Sequence, residues 1–387
     1  MSDAGSAVDW LIDGARDAST PQSVLGDLCS RLLADGVPLE RANVFVRTLH
    51  PSIMGRRFFW RRGAEGVAVS EPSFEFLETD EYRHSTVAAV TTTGRELRRR
   101  LADPSCPNDF PVLQTLRDEG VTDYLISPLI FSNGEVHAAS WTTDAPDGFG
   151  DAALARLRAV AAPLARVAEI RALRRTAGTL LDTYVGRNAG TRILAGQIRR
   201  GDTEAISAVI WLSDLRDFTL MADRMPAGEL IAVLNRCFDC QVPAILAHGG
   251  EVLKFMGDGL LAIFPIAAGD PAAGTCDRAL AAAREARALL ADLATPAGTK
   301  VRFGLALHVG EVLYGNIGGG NRLDFTCIGP AVNLAARLEK LARDLGRSVV
   351  VSNTFAAHCA TGLSPLGNHL LRGLGQPQPA FGLTEEE

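Results

Sequence analysis

The chain has 387 residues, 47% of them hydrophobic and 22% charged, with a formal net charge of -6. That length accommodates two ordinary domains, each with its own core. The acidic balance argues against a nucleic-acid partner, because a phosphate backbone selects basic faces. No run approaches the ~18 consecutive apolar residues that a membrane helix needs, so a soluble chain with no membrane partner is expected. The start Met1-Ser2-Asp3-Ala4 lacks the basic stretch and apolar core of a secretory signal, which makes the cytoplasm the expected compartment. Seven scattered cysteines fit reduced thiols better than a disulfide framework.

In chain order, Val24, Leu25, Leu28, Leu32 and Leu33 form a helical stripe, while 42–46 and 57–60 read as short strands. Two apolar runs, 124–131 and 135–142, are separated by Ser132-Asn133-Gly134, which predicts a hairpin. From 149 to 173 a long helix is predicted, with Leu154, Leu157, Val160, Leu164, Val167 and Ile170 three or four apart. Helix, sheet, hairpin and closing helix over residues 1–165 resemble a GAF-like or PAS-like sensory domain of mixed α/β type. That resemblance rests on topology and implies a small-molecule effector of unknown identity.

Residues 166–200 read as a connecting helix through Leu180, Leu181 and Tyr184, interrupted by Gly186 and Gly190 at a joint between domains. Its heptad-like seam could pair with a second copy. Residues 201–387 then alternate. A strand is expected at 205–212, an amphipathic helix kinked by Pro243 at 226–248, and a hairpin of 251–256 with 260–264 around Gly257-Asp258-Gly259. A second helix follows at 271–294, two strands at 301–308 and 311–317, and a third helix at 329–345. This order predicts an α+β sheet covered by helices on one face. Cys237 and Cys240 form a C-x-x-C inside a predicted helix without a second ligand pair, which reads as structural. His308, within an apolar strand, reads as a core residue.

Asp214 is expected directly after a buried strand and Asp258 in a glycine-flanked turn. Two carboxylates brought together repel unless cations sit between them, and Mg²⁺ prefers such oxygen donors. Either Asp alone would read as a turn residue. Their contexts differ from that. Ser213-Asp214-Leu215-Arg216-Asp217-Phe218-Thr219 and Leu253-Lys254-Phe255-Met256-Gly257-Asp258-Gly259 resemble the two metal motifs of the class III adenylyl and guanylyl cyclases. The segment 304–318 resembles that family's strand pair before a dimer-facing hairpin. Asp324 to Leu338, containing Thr326, Asn333 and Arg337, resembles its transition-state motif.

The resemblance covers roughly residues 200–385 and implies a ferredoxin-like, palm-like catalytic domain that converts ATP into cyclic AMP and pyrophosphate. It implies two Mg²⁺ or Mn²⁺ ions per site on Asp214, Asp258 and the carbonyl of Leu215. Phosphates would rest on the turn carrying Phe218 and Thr219, with Arg372 of Leu371-Arg372-Gly373-Leu374 as a further phosphate-binding base. Asn333 would orient the ribose and Arg337 would stabilise charge on the α-phosphate. The family reads adenine with Lys and Asp or Thr, and guanine with Glu and Cys; this chain has Lys254 and Thr326. Thr at that position is similar to class IIIb, some of whose members respond to bicarbonate. Because the family divides each site between two chains, a homodimer is implied. Asp217 stands where many members have Gly, and Pro330 where many have Asp; the run Gly318-Gly319-Gly320 is expected to soften the hairpin tip. The alternatives are a catalytically silent module of the same fold, a cyclase of other nucleotide specificity, or a diguanylate cyclase, whose Gly-Gly-Asp/Glu-Glu-Phe turn differs from Met256-Gly257-Asp258-Gly259-Leu260.

Overall fold

The computed structural model describes residues 6–50, 53–320 and 322–386. The start Met1-Ser2-Asp3-Ala4 lies outside them. Two compact units divide the chain, Met1–Leu180 and Leu181–Glu387.

In the first unit, helices α1 (Ala7–Ile12) and α2 (Pro21–Ala34) precede strands β1 (Arg41–Arg47), β2 (Gly55–Arg61) and β3 (Ala68–Ser70). Helices α3 (Asp80–Arg83) and α4 (Thr86–Thr93), strand β4 (Leu97–Arg99) and helix α5 (Pro111–Asp118) follow. The hairpin β5 (Asp123–Ile130) and β6 (Val136–Thr143) leads to helix α6 (Asp151–Val185). All strands pair antiparallel in the order β3-β2-β1-β6-β5-β4. Side chains alternate across this sheet, as the period of two requires. Leu125, Leu129, Ala139 and Trp141 face α1, α2 and α6. Tyr124, Ile126 and Ala138 face α4 and α5 on the other side. Thr20 and Ser23 form a capping box at the start of α2, with Pro21 in the first turn, where its missing N–H costs nothing. Fully buried Asp123 takes a 2.5 Å ion pair from Arg98 and the Phe149 N–H at 3.0 Å.

The second unit begins with the last turn of α6 and helix α7 (Arg187–Leu194), then β7 (Thr203–Leu215), α8 (Phe218–Arg224), α9 (Ala227–Ala247), β8 (Glu251–Met256) and β9 (Gly259–Ile266). It continues with α10 (Ala272–Ala291), β10 (Phe303–Gly319), β11 (Arg322–Ile328), α11 (Pro330–Asp344), β12 (Val349–Ser352), α12 (Asn353–Ala356), β13 (Leu363–His369) and β14 (Gln378–Leu383). The sheet order is β13-β14-β12-β10-β7-β9-β8, with β11 on the far half of β10. Only β10 and β12 run parallel among the described pairs.

Several expectations change. The two strands foreseen at 301–308 and 311–317 are one 17-residue strand, because β7 pairs with it continuously from Leu215↔Phe303 to Thr203↔Gly315. The same pairing carries β7 three residues past Leu212, so Asp214 lies within the strand rather than after it. Helices cover both faces, not one. Val209, Trp211, Leu305 and Leu307 pack with residues of α9 and α10, while Ala208, Ile210, Ala306 and Val312 pack with residues of α7 or α11. Gly190 does not break the helix: it sits inside α7, where a Cβ would come within 2.9 Å of Asp182 Oδ1. Gly186 does mark the break, as the α7 N-cap at φ 86°. Gly318 is required by packing rather than by softness, since a Cβ there would lie 2.3 Å from the Arg322 carbonyl oxygen. By length and composition, α9 is apolar enough to cross a bilayer. Glu229, Arg236 and Asp239 interrupt its apolar run, and Val233, Cys237, Ala244 and Ile245 enter the core.

Candidate active site

Even-numbered residues of β7 face α11, which puts Asp214 on that face two residues beyond Leu212. The β8–β9 turn brings Asp258 to it. Gly257 supplies the positive φ of 68° that this tight turn needs. A Cβ on Gly259 would sit 3.4 Å from Asp214 Oδ1 and 3.1 Å from the Ser213 carbonyl oxygen, so the turn closes directly under the strand end. Burial pushes the Asp258 carboxyl above the usual carboxylate range, and the charge of Asp214 and a hydrogen bond to it push the same way. The two carboxyls foreseen as a pair are therefore neighbours.

Three charged side chains that the sequence reading did not single out surround them. Arg343 of α11 donates to Asp214 Oδ2 at 2.6 Å, and Arg216 donates to Glu339 Oε1 at 2.7 Å. Arg343 also stands 3.8 Å from Glu339. The Arg216 guanidinium fits only because residue 304 is glycine, where a Cβ would lie 1.6 Å from its Nη2. That Nη2 is buried without an acceptor among the described residues. Burial is the largest influence on both partners, lowering Arg216 and raising Glu339 from their ordinary values against their mutual attraction. Desolvation therefore offsets much of what the pair gains. Glu339 and Arg343 were legible as an i,i+4 helix pair; their turn toward Asp214 was not.

Asp217 follows with φ 59°, the left-handed conformation that explains why glycine suits this position. Its carboxylate pairs with Arg302 at 2.8 Å. α8 then starts at Phe218, whose ring packs against the core while Thr219 is exposed. The Phe218 side chain is thus half-buried. Only main-chain N–H groups of this first turn remain free of intrahelical acceptors.

Lys254 and Thr326 come to one edge of the sheet, because β11 folds back along β10 against β8. The charge of Lys254 lowers the neighbouring Cys327 thiol, although burial dominates and holds it up at about 11. Thr326 is 4% exposed, and its Oγ1 has no hydrogen-bond partner among the described residues. A buried hydroxyl without a partner costs stability, which points to a ligand position. Asn333 is exposed on α11 and Arg337 half-buried one turn later. Arg337 Nη2 reaches the turn at Gly373, where a Cβ would meet it at 3.4 Å, beside exposed Arg372. Pro330 occupies the first turn of α11, where its missing N–H leaves no gap. Among the described residues, no hydrogen bond or ion pair joins the carboxylate group, the Lys254–Thr326 edge and the Asn333–Arg337 face to one another.

His308 is a core residue, as read, its Nδ1 within 2.8 Å of Ser352 Oγ. Cys237 and Cys240 are free thiols on α9. No group of three or more His, Cys, Asp or Glu able to hold a metal occurs among the described residues. Two close carboxylates are nevertheless a donor set that fits Mg²⁺ or Mn²⁺, since such ions take few protein ligands and complete their shell with water and substrate phosphate.

The family described as adenylate and guanylate cyclase catalytic domain matches residues 202–373. Similar curated proteins include adenylate cyclase 1 of Rhizobium meliloti (strain 1021), 30% identical over 165 residues, which are 42% of this chain and 25% of that protein. The terminal-differentiation-specific adenylate cyclase of Dictyostelium discoideum is 33% identical over 155 residues, 39% of this chain and 7% of that one. The chain thus spans a quarter or less of the length of these two relatives. Among solved structures, a bacterial light-regulated adenylyl cyclase aligns with a TM-score of 0.49 and 24% identity, over 57% of this chain and 64% of that one. Residues 202–373 are a class III adenylyl/guanylyl cyclase catalytic domain, preceded by an α/β region.

Proposed function

We propose that the chain is an adenylyl cyclase, working as a homodimer and regulated by a GAF-like or PAS-like first unit. The observation that carries this reading is the adjacency of Asp214 and Asp258 beneath α11, two carboxylates whose mutual repulsion calls for cations. The ribose 3′-oxygen attacks the α-phosphorus, the bond to the bridging oxygen breaks, pyrophosphate leaves, and the hydroxyl proton passes to water. Two Mg²⁺ or Mn²⁺ ions on Asp214, Asp258 and the Leu215 carbonyl would activate that hydroxyl and neutralise the triphosphate. Asn333 orients the ribose. Arg337 donates to the α-phosphate as charge develops there, and its loss should cost about a hundredfold or more in rate. Main-chain groups at Phe218 and Thr219, with Arg372, hold the terminal phosphates.

Lys254 donates to an adenine ring nitrogen and the Thr326 hydroxyl accepts from the exocyclic amine, which would supply the partner that buried Oγ1 lacks. The lack of any hydrogen bond or ion pair joining the three groups among the described residues is consistent with a dimer in which each chain completes the other's site. Exposed Ile170, Leu173 and Tyr184 on α6 support it further, since with Ala177 and Leu180 they repeat at heptad spacing.

The test is ATP turnover by the full chain with Mn²⁺, followed by product chromatography. Cyclic AMP formation that is lost in Asp258→Ala is the expected result; retention in that variant would remove the metal role. Lys254→Glu with Thr326→Cys should move preference from ATP toward GTP, and an unchanged preference would overturn the base assignment.

A further inference from the structure

The first unit contains a solvent-open groove, of which about 60 Å³ is enclosed, between α2, α6 and the strands β1 and β2. Val44, Val46 and Phe58 form its floor, and Leu25 and Val167 its walls. Its mouth is cationic. Arg56, Arg171 and Arg175 line it, and among the described residues the ion pairs there use a single carboxylate, Glu71.

The three arginines are not equivalent. Arg171 is committed to the fold, donating to the carbonyls of Ala15, Ala18 and Ser19. Arg56 is held by Glu71 Oε1 at 2.5–2.7 Å and lies over the Phe58 ring, 5.9 Å from its centroid. Arg175 remains 3.8 Å from the same oxygen, beyond hydrogen-bond length, and its side chain is 49% exposed. One carboxylate oxygen thus serves two guanidinium forks whose remaining donors stand at the rim of an apolar cleft.

We infer that this cleft binds an amphipathic carboxylate, with its apolar chain over Val44, Val46 and Phe58 and its head group bridging Arg56 and Arg175. Charge decides the class. An apolar neutral molecule would leave the excess positive charge at the mouth uncompensated, and a hydrophilic anion would leave the floor wet; a carboxylate on a hydrocarbon chain satisfies both. Such a ligand lies along residues 164–175 of α6, the helix that continues in sequence to Gly186 and the catalytic unit. The inference names the ligand class for the sensor role proposed above and rests on that role only for its regulatory consequence; binding itself does not depend on cyclase activity.

The experiment is isothermal titration of the full chain with sodium decanoate, beside decanol and sodium acetate. Saturable one-to-one binding of decanoate is expected, with decanol and acetate at least tenfold weaker. Arg175→Ala should weaken decanoate about tenfold, Glu71→Gln should strengthen it several-fold by freeing both forks, and Val167→Trp should abolish it by filling the cleft. Equal binding of decanol and decanoate, or no saturable binding of decanoate, would overturn the inference, as would full binding by Val167→Trp. Cyclase turnover measured in the same samples reports separately on the catalytic reading: decanoate binding without turnover sinks that reading and leaves the cleft intact.

Discussion

One carboxylate in each unit, Asp123 in the first and Asp258 in the second, is treated in opposite ways. In the first, Asp123 is fully buried and compensated, by the Arg98 guanidinium on one side and the Phe149 N–H on the other. In the second, half-buried Asp258 faces a like charge on Asp214, and burial first and that charge second push it upward. A compensated carboxylate holds a sheet to its surroundings; a carboxylate facing another is a cost that only a cation or a proton relieves. The same contrast separates Thr86, whose hydroxyl meets Tyr124 at 2.7 Å, from Thr326, whose hydroxyl has no partner among the described residues.

The sharpest way to break this comparison is to neutralise both carboxylates. Asp123→Ala should destabilise the first unit by ~3–5 kcal/mol, because it strands Arg98. Asp258→Asn should leave urea unfolding unchanged or slightly later, while lowering ATP turnover at least on the order of a hundredfold. Comparable unfolding midpoints for the two variants would show that the carboxylates are equivalent after all.

A smaller effect concerns histidine, where the units agree. His137 and His308 are each lowered to about 4, in both cases chiefly by burial. Both are neutral in the folded protein above that pH, whereas an unfolded chain takes up the proton from about pH 6.5 downward. The stability they contribute is therefore complete above pH 6.5 and falls as the pH drops toward 4. Each should cost roughly 1–2 kcal/mol by pH 5. Urea midpoints at pH 7 and 5 check this, and His137→Gln and His308→Gln should each flatten the slope. A slope unchanged in both variants would assign it to other groups.

The smallest effect is expected at Asp217. Glycine there removes the strain of φ 59° but also the exposed Arg302 pair, so Asp217→Gly should change stability by less than about 1 kcal/mol. Asp217→Val should cost about 1–2 kcal/mol, since a β-branched side chain tolerates this conformation poorly. Thermal unfolding of both variants would distinguish backbone strain from the loss of the ion pair, which the two share.

Periodicity made α2, α9 and the β5–β6 hairpin readable, because their neighbours only reinforce what each segment prefers locally. It did not reveal the length of β10. The stretch Val309-Gly310 looks like a turn in isolation, yet the β7 ladder runs straight through it, pairing Gly310 with Ala208. A Cβ on that glycine would come within 2.6 Å of the Ala331 Cβ, so Gly310 serves the close packing of α11 rather than a bend.

The sequence by itself determined the residue types of the candidate site and their order, since Asp214, Lys254, Asp258, Thr326, Asn333 and Arg337 lie in short motifs whose spacing is a local property. Tertiary structure alone decided which of them meet. A strand's face is set by a period of two, but the partner across that face is set by long-range pairing, and this is what brought Arg343 and the Gly257–Gly259 turn to Asp214 and left Thr326 without a partner.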